Sequence, residues 1–317
     1  MADRAGVLTS PAPIVRQDSR IQRFFLRHEW ARGYALLSPT LAVMVLAMCL
    51  PVFMLAAHSF WTQNYLTIDE TFTLANYEQA LGWLWGAEGA KPIYIRLLWK
   101  SMQISFGVTV TTLILAYPFA YFLAFKVRRN KNLWIILISV PFLTSYLLRV
   151  FTWKIILGFN GVINSGLMSL GIISEPLEFL LYNPTAVLIV LAHAWAAFAI
   201  LPIYVSLEKI DRSLLEAATD LGDGPFRRFW RITWPLSVPG VIASGLLVFI
   251  PTVGDYVTPK LVGGTEGIMI GNIIQSQFGK ANNWPLGSAL SIVMAIAITI
   301  VVLIFLYVMS LGRVRAK

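Results

Sequence analysis

Seven stretches of this 317-residue chain contain no Asp, Glu, Lys or Arg: 33–68, 101–125, 132–148, 155–174, 179–207, 232–254 and 281–312. A helix that crosses a bilayer needs about 20 mainly apolar residues, with a floor near about 17. Six of the windows suit a crossing once their loop ends are trimmed. A buried soluble core explains any one window but not the set, because a soluble chain of this length has no interior for so many long apolar helices. The chain is 57% hydrophobic and 13% charged, against about 25% charged in ordinary soluble domains. The expected fold is all-α and multi-pass.

Window 155–174, IILGFNGVINSGLMSLGIIS, stands apart. Gly158, Asn160, Gly161, Asn164, Ser165, Gly166 and Gly171 interrupt its apolar runs, and such spacing favours short helices and turns over one inserted span. The basic residues provide an independent test. With six crossings and the N-terminus inside, the inner segments 1–33, 126–131, 208–231 and 313–317 hold six, four, five and three Lys or Arg, 18 of the 25 in the chain. That bias is what the positive-inside rule requires. A seventh crossing at 155–174 would move Arg227, Arg228 and Arg231 outside and weaken it. Six transmembrane helices are therefore expected, near 35–58, 101–125, 132–152, 185–206, 236–254 and 286–311, with 155–184 outside. The domain reading is an inner tail and interfacial helix (1–33), a transmembrane domain (34–312) and an inner tail (313–317).

The net charge of +9 orients the chain in a bilayer and gives no nucleic-acid motif. The single cysteine, Cys49, excludes an internal disulfide and offers no metal cluster. His28, His58 and His193 are too dispersed for a site; His193 either faces a cavity or makes an interhelical hydrogen bond. Residues 1–17 lack an apolar face and read as disordered, while Arg20–Trp30 interleaves arginines with aromatics as a bilayer-surface helix does. Pro39 and Pro51 are expected to start and to bend the first span. The first span has no cleavage-like ending and is read as retained. The segment 60–97, rich in Trp and Tyr, caps the outer face or meets a soluble partner. Gln103, Ser105, Thr109, Thr111 and Thr112 give the second span a polar first half that either packs between helices or lines a route.

Between the fourth and fifth spans lies a charged island, 208–235. EKIDRSLLEAATDLG has helical spacing, with Asp211 or Ser213 able to cap its start and Gly222 or Gly224 able to end it at positive φ. Pro225 suits the first turn of a second helix, and Pro235 and Pro239 mark the passage into span five. Two short helices at a corner are expected, with the small side chains of Ala217 and Ala218 allowing another protein to approach.

Glu216, Ala217 and Ala218, then Gly222, then Phe229, Ile232 and Pro235 form the pattern E-A-A, Gly four residues on, F-x-x-I-x-x-P. It resembles the EAA loop of permease subunits of ABC importers. Trp234 departs from it, since Leu or Val is common before that Pro. SYLLRVFTWKIILGFNGVIN (145–164), FIPTVGDYVTPKLVGG (249–264) and IMIGNIIQSQF followed by NNWPLGSALSIVM resemble the spermidine/putrescine permease subgroup. The resemblance covers about residues 35–312 and implies the type I ABC importer permease fold, six transmembrane helices with a cytoplasmic coupling loop. It implies that Glu216, Ala217, Ala218, Asp220, Gly222, Phe229, Ile232 and Pro235 couple the chain to an ATPase, with Glu216 a docking or structural carboxylate. It also implies a homologous second permease chain, two cytoplasmic ATPase subunits that bind ATP and Mg2+, and an extracytoplasmic polyamine-binding protein. The setting is a bacterial inner membrane with both termini cytoplasmic. Independently, the sequence has no GxxxxGK[ST] phosphate-binding loop, so this chain is expected to bind no cofactor and to catalyse nothing.

Asp255 follows an apolar run at the expected outer mouth, and Tyr146, Trp153 and Tyr256 are its candidate aromatic neighbours. A carboxylate there suits an ammonium group, and aromatic faces suit a polyamine. Equally, Asp255 pairs with Lys260 or Arg149, or caps a turn before Pro259. Arg149 and Lys154 place positive charge near the same boundary. The rival substrate is another small organic solute, such as an amino-acid-derived compound. An ion-coupled transporter acting alone is the rival class, and the absence of an evident internal repeat argues against it.

Overall fold

A computed structural model describes residues 29–65, 67–86, 92–127 and 129–314. The tail expected at 1–17 and nearly all of the surface helix expected at 20–30 lie outside the described residues. The chain divides into two units, 1–54 and 55–317, each described by itself. Helix α1 (Glu29–His58) supplies the described part of the first. It begins ten residues before Pro39, so Pro39 does not start the span; both prolines lie inside a continuous helix.

In the second unit a hairpin of β1 (Thr62–Asn64) and β2 (Thr67–Asp69) precedes α2 (Ala75–Leu81) and α3 (Ile93–Tyr121), which is prolonged by a π turn over Phe122–Lys126. There follow α4 (Lys131–Ser139), α5 (Tyr146–Leu157), α6 (Val162–Ser169), α7 (Pro184–Glu208), α8 (Arg212–Asp220) and α9 (Pro225–Arg228). The last are α10 (Trp234–Val253), α11 (Val257–Val262), α12 (Ile270–Phe278) and α13 (Trp284–Val314). Among the described residues, six helical segments are long and apolar enough to cross a bilayer: Leu36–His58, Ile93–Lys126, Tyr146–Ser169, Pro184–Glu208, Pro225–Val253 and Trp284–Tyr307.

The third crossing departs from the expected continuous helix at 132–152. Its helix narrows to a 3-10 turn over Val140–Leu143 and breaks at Thr144 and Ser145, both extended, before α5 begins. Packing defines the crossing better than apolar length does. Lys131 forms an ion pair with Glu208 at the end of α7, 2.7 Å apart, and Lys154 lies 5.9 Å from the ring centroid of Tyr182, just before α7. Residues 131–157 therefore traverse the full length of α7 in two pieces. Helix α6 is separate, beyond a turn at 158–161, so 155–174 is broken as its glycines and asparagines require. At Gly161 an added Cβ would stand 2.4 Å from the Ile155 carbonyl.

Helices α3, α7 and α10 form the centre. Val108, Val187, Val190, Leu191, Ile203, Leu207 and Val248 have no exposed surface there. Small residues set the α7–α10 crossing: a Cβ at Gly240 would lie 2.4 Å from that of Ser206 and 2.6 Å from the Pro202 carbonyl. Ser244 donates to the Ala199 carbonyl across the same crossing, at 2.7 Å. Such close approach is how helices associate where lipid removes the hydrophobic drive between them. In α3, Ser101, Thr109 and Thr112 are buried and donate to carbonyls four residues back. These three pack between helices; Thr111 borders an apolar cavity, and Gln103 is exposed.

Candidate functional site

Helix α8 starts at Asp211, whose carboxylate accepts from the Ser213 backbone N–H at 2.9 Å. Hydrogen bonds from the Ser213 backbone and hydroxyl hold this carboxyl below its ordinary range. The helix stops at Gly222, φ +89. Gly222 N–H reaches the Thr219 carbonyl and Asp223 N–H the Ala218 carbonyl, each at 2.9 Å, the paired bonds of a Schellman stop. Gly222 is thus the terminator, and Gly224 is the cap before Pro225.

The corner is braced by charge. Asp223, mostly buried, meets Arg231 at 3.1 Å and Arg227 at 3.7 Å, and Arg228 donates to the Thr219 hydroxyl at 2.7 Å. Glu216, Ala217 and Asp220 are exposed on α8, whereas Ala218 is only 6% exposed. The expected pair of small surface residues is therefore a single one, Ala217; Ala218 faces the chain itself. A second correction concerns α9. It is not a free short helix but runs through a π turn over Phe229–Thr233 into α10. Pro235 comes just after the π turn, and its missing N–H falls where the regular hydrogen-bond ladder is already interrupted. Whatever pushes on Pro225–Arg228 pushes on a crossing helix.

Phe229 and Trp234 turn inward from this segment onto α3. Phe229 lies edge-on to Tyr117 and Tyr121, with centroids 5.9 and 6.2 Å apart, and Trp234 lies 5.5 Å from Tyr117. The Tyr117 hydroxyl also bonds that of Ser237 at 2.9 Å. Ile232 is half-buried beside them in sequence. Sequence reasoning missed Tyr117 and Tyr121; their signal was the spacing of four that joins Tyr117, Tyr121 and Phe125 on one helix face. Phe226 and Trp230 remain outside, 78% and 50% exposed.

The second constellation surrounds Asp255. Its carboxylate accepts the Tyr146 hydroxyl and, at 2.9 Å, the Val257 N–H; Tyr146 also meets the Thr258 hydroxyl at 2.6 Å. Turn-capping, one of the sequence alternatives, is thus present. Among the described residues no cation comes within 4.0 Å of Asp255, Lys260 and Arg149 included. Asp255 and Tyr146 line a cavity of about 390 Å³ with Phe142, Thr144, Arg149, Ala194, Trp195 and Phe198. Trp195 and Phe198, three apart on α7, were the legible sign of an aromatic wall.

Asp255 also lies deeper than the expected outer mouth. It shares the cavity with Ala194, ten residues into α7, and Gly254 beside it faces Met294, ten residues into α13. At about 1.5 Å per residue that is roughly 15 Å along each helix, half of a hydrocarbon core about 30 Å thick. The chain reaches this depth because α11 and α12 fold back into the bundle; a Cβ at Gly271 would stand 2.6 Å from the Gly254 carbonyl. The other two aromatic candidates face elsewhere. Tyr256 borders a separate cavity with Gly271, Phe278 and Met294. Trp153 donates to His193 Nδ1 at 2.9 Å beside an apolar cavity of about 510 Å³, which makes His193 an interhelical acceptor.

Residues 30–316 match the family described as the binding-protein-dependent transport system inner membrane component. The chain belongs to this family. The permease is 37% identical over 263 residues to the spermidine/putrescine transport system permease protein PotB of Escherichia coli (strain K12), covering 83% of this chain and 92% of that one. It is 39% identical over 216 residues to PotB of Haemophilus influenzae, covering 68% and 74%. A bacterial alginate ABC transporter, solved with its pentasaccharide-bound periplasmic protein, superposes with TM-score 0.66 at 16% identity, over 90% of this permease and 96% of that chain. That likeness shows the fold, the type I ABC importer permease fold. The permease is a multi-pass inner-membrane subunit and not itself the catalyst.

Proposed function

We propose that this permease forms half of an ATP-driven import pathway for polyamines of the spermidine and putrescine type. The observation that carries the substrate reading is Asp255, a carboxylate near mid-membrane with which no cationic side chain among the described residues pairs, in a cavity walled by Phe142, Tyr146, Trp195 and Phe198. A charge at that depth is costly unless something answers it. An alkylammonium ion supplies the charge, and its methylenes suit the aromatic walls. The PotB relatives support the same class of substrate.

A second, homologous permease completes the pathway, and a soluble polyamine-binding protein delivers to its outer side. Two ATPase subunits hydrolyse ATP with Mg2+ on the inner side. The island docks to them through Glu216, Ala217, Asp220 and the exposed Phe226 and Trp230. Phe229, Ile232 and Pro235 carry the motion into α3 and α10, while Ala218 and Gly222 hold the corner in shape. The 18-of-25 bias in basic residues supports cytoplasmic termini and a cytoplasmic island. A second reading, a solute bearing both an amine and an acid, draws on Arg149 lining the same cavity; its guanidinium is already engaged by backbone carbonyls. Uptake of labelled spermidine by cells making the whole transporter, with putrescine or a neutral amino acid as competitor, separates the two. No accumulation of either polyamine by the assembled transporter sinks the proposal.

A further inference from the structure

Arg149 and Asp255 carry opposite charges on one mid-bundle cavity and yet do not pair. The broken third crossing explains this. Where Val140–Leu143 tightens and Thr144 becomes extended, the Pro141 and Thr144 carbonyls leave the regular helical ladder and take side-chain donors, the Thr144 hydroxyl reaching the Pro141 carbonyl at 2.6 Å. Arg149 supplies the others. One terminal nitrogen donates to the Pro141 carbonyl at 2.7 Å and to that of Thr144 at 3.3 Å. The other donates to the Ala194 carbonyl of α7 at 3.0 Å. The guanidinium also lies 5.3 Å from the centroid of the Phe142 ring. Across the break, Asp255 holds Tyr146, the first residue of α5, through its hydroxyl. Each charge is thus taken by one side of the discontinuity.

We infer that Arg149 is a positioning residue that keeps the third crossing broken, and that this break makes the cavity. The cationic group suits the task for two reasons. It stands at the carbonyl end of the first half-helix, which carries partial negative charge. Its planar fork reaches carbonyls on two different elements at once, which the single ammonium of lysine does less well. With the fork removed, the Pro141 carbonyl keeps only the Thr144 hydroxyl and the Thr144 carbonyl loses its side-chain donor, which favours a straightened crossing that carries Phe142 and Thr144 out of the cavity wall. The positive charge at Arg149 is therefore engaged by the scaffold, leaving Asp255 to face whatever enters. The inference rests on the pathway proposed above only for its consequence in transport.

The test uses the full transporter in membrane vesicles, with Cys49→Ser removing the native thiol and Phe198→Cys as a reporter in the cavity wall. The labelling rate by a small water-soluble thiol reagent needs no substrate, so it fails or succeeds independently of the polyamine reading. Arg149→Gln is expected to slow labelling at least five-fold, with Arg149→Lys intermediate. Unchanged labelling in Arg149→Gln overturns the inference, even where uptake falls, because Arg149 would then act on the solute and not on the wall. Where Arg149→Gln fails to assemble, it is combined with Pro141→Ala and Thr144→Leu, which favour an unbroken helix. Recovery of assembly supports the inference, since the carbonyls then bond within the helix; continued failure overturns it.

Discussion

Phe229 lies edge-on to Tyr117, ring centroids 5.9 Å apart and planes 88° to each other. The contact joins the corner at 209–233 to the second crossing, and the corner is already continuous with the fifth through its π turn. A displacement of α9 therefore reaches two crossing helices by rigid contact. Bistable packed elements of this kind turn a small shift at one site into a larger one elsewhere.

Phe229→Ala removes both edge contacts, to Tyr117 and to Tyr121. The exposed residues of α8 and α9 are untouched, so ATPase subunits should still co-purify. Uptake per assembled transporter is expected to fall about ten-fold, equivalent to about 1.4 kcal/mol of lost coupling, while ATP hydrolysis persists. Equal loss of hydrolysis and uptake would place Phe229 in docking and not in transmission.

Gly222 offers a cleaner perturbation. An added Cβ meets no atom within 4 Å, so Gly222→Ala tests backbone conformation alone. A left-handed residue with a Cβ costs about 1–2 kcal/mol. Thermal stability of the purified transporter should drop for Ala and recover for Gly222→Asn, which tolerates that conformation better. Glu216→Lys and Gly222→Trp should weaken ATPase co-purification further by altering the exposed corner.

The start of α8 is expected to resist acid. Because the Asp211 carboxyl sits below its ordinary range, its contribution is complete above the unfolded carboxylate value, near about 3.9. It is lost only as pH falls through the lower folded value. Amide exchange of residues 213–216 should stay protected at about pH 5, and Asp211→Ala should abolish that protection. Equal exchange in both proteins would show that the cap is not maintained.

Asp255→Asn keeps the Val257 cap, because an amide oxygen still accepts, but removes the charge. Polyamine uptake per assembled transporter should fall about ten-fold or more with assembly spared, since charge at this depth is poorly screened. Tyr146→Phe keeps the aromatic wall and frees the carboxylate of one donor; a milder effect is expected. Tyr256→Phe and Trp153→Phe should change little, because neither side chain borders the Asp255 cavity. Unchanged uptake in Asp255→Asn would remove that residue from the mechanism.

What the sequence made legible follows how local each determinant is. Charge-free windows mark crossings because burial in lipid acts on every residue of a window. The stop at Gly222 and the first-turn Pro225 are likewise set by near neighbours. The break at Thr144–Ser145 was not legible, because its carbonyls take side-chain donors from Arg149 and from the Thr144 hydroxyl, pairings that apolar periodicity does not mark. The depth of Asp255 was hidden as well: α11 and α12 turn back into the bundle, so a residue after an apolar run is not at its outer edge. Ala218 misled because helical spacing gives a face but not what covers it.

Six crossings with the island inside predict which engineered thiols an impermeant reagent reaches. Glu70, exposed beyond the β1–β2 hairpin, is the outer reporter; Leu221, 88% exposed on the island, is the inner reporter. The two belong to opposite ends of α3. Ala80, past the hairpin, packs with Tyr94 near the helix start, and Phe229 packs with Tyr117 near its end. Those 23 positions span about 35 Å at about 1.5 Å each, so a reagent confined to one side should not reach both. In a Cys49→Ser background, Glu70→Cys should label in intact cells and Leu221→Cys only after the membrane is opened. The reverse pattern would invert the permease and leave its basic residues outside, against the positive-inside rule. Labelling of both in intact cells would mean that the two ends are not separated by the bilayer, and the six-crossing scheme would be wrong.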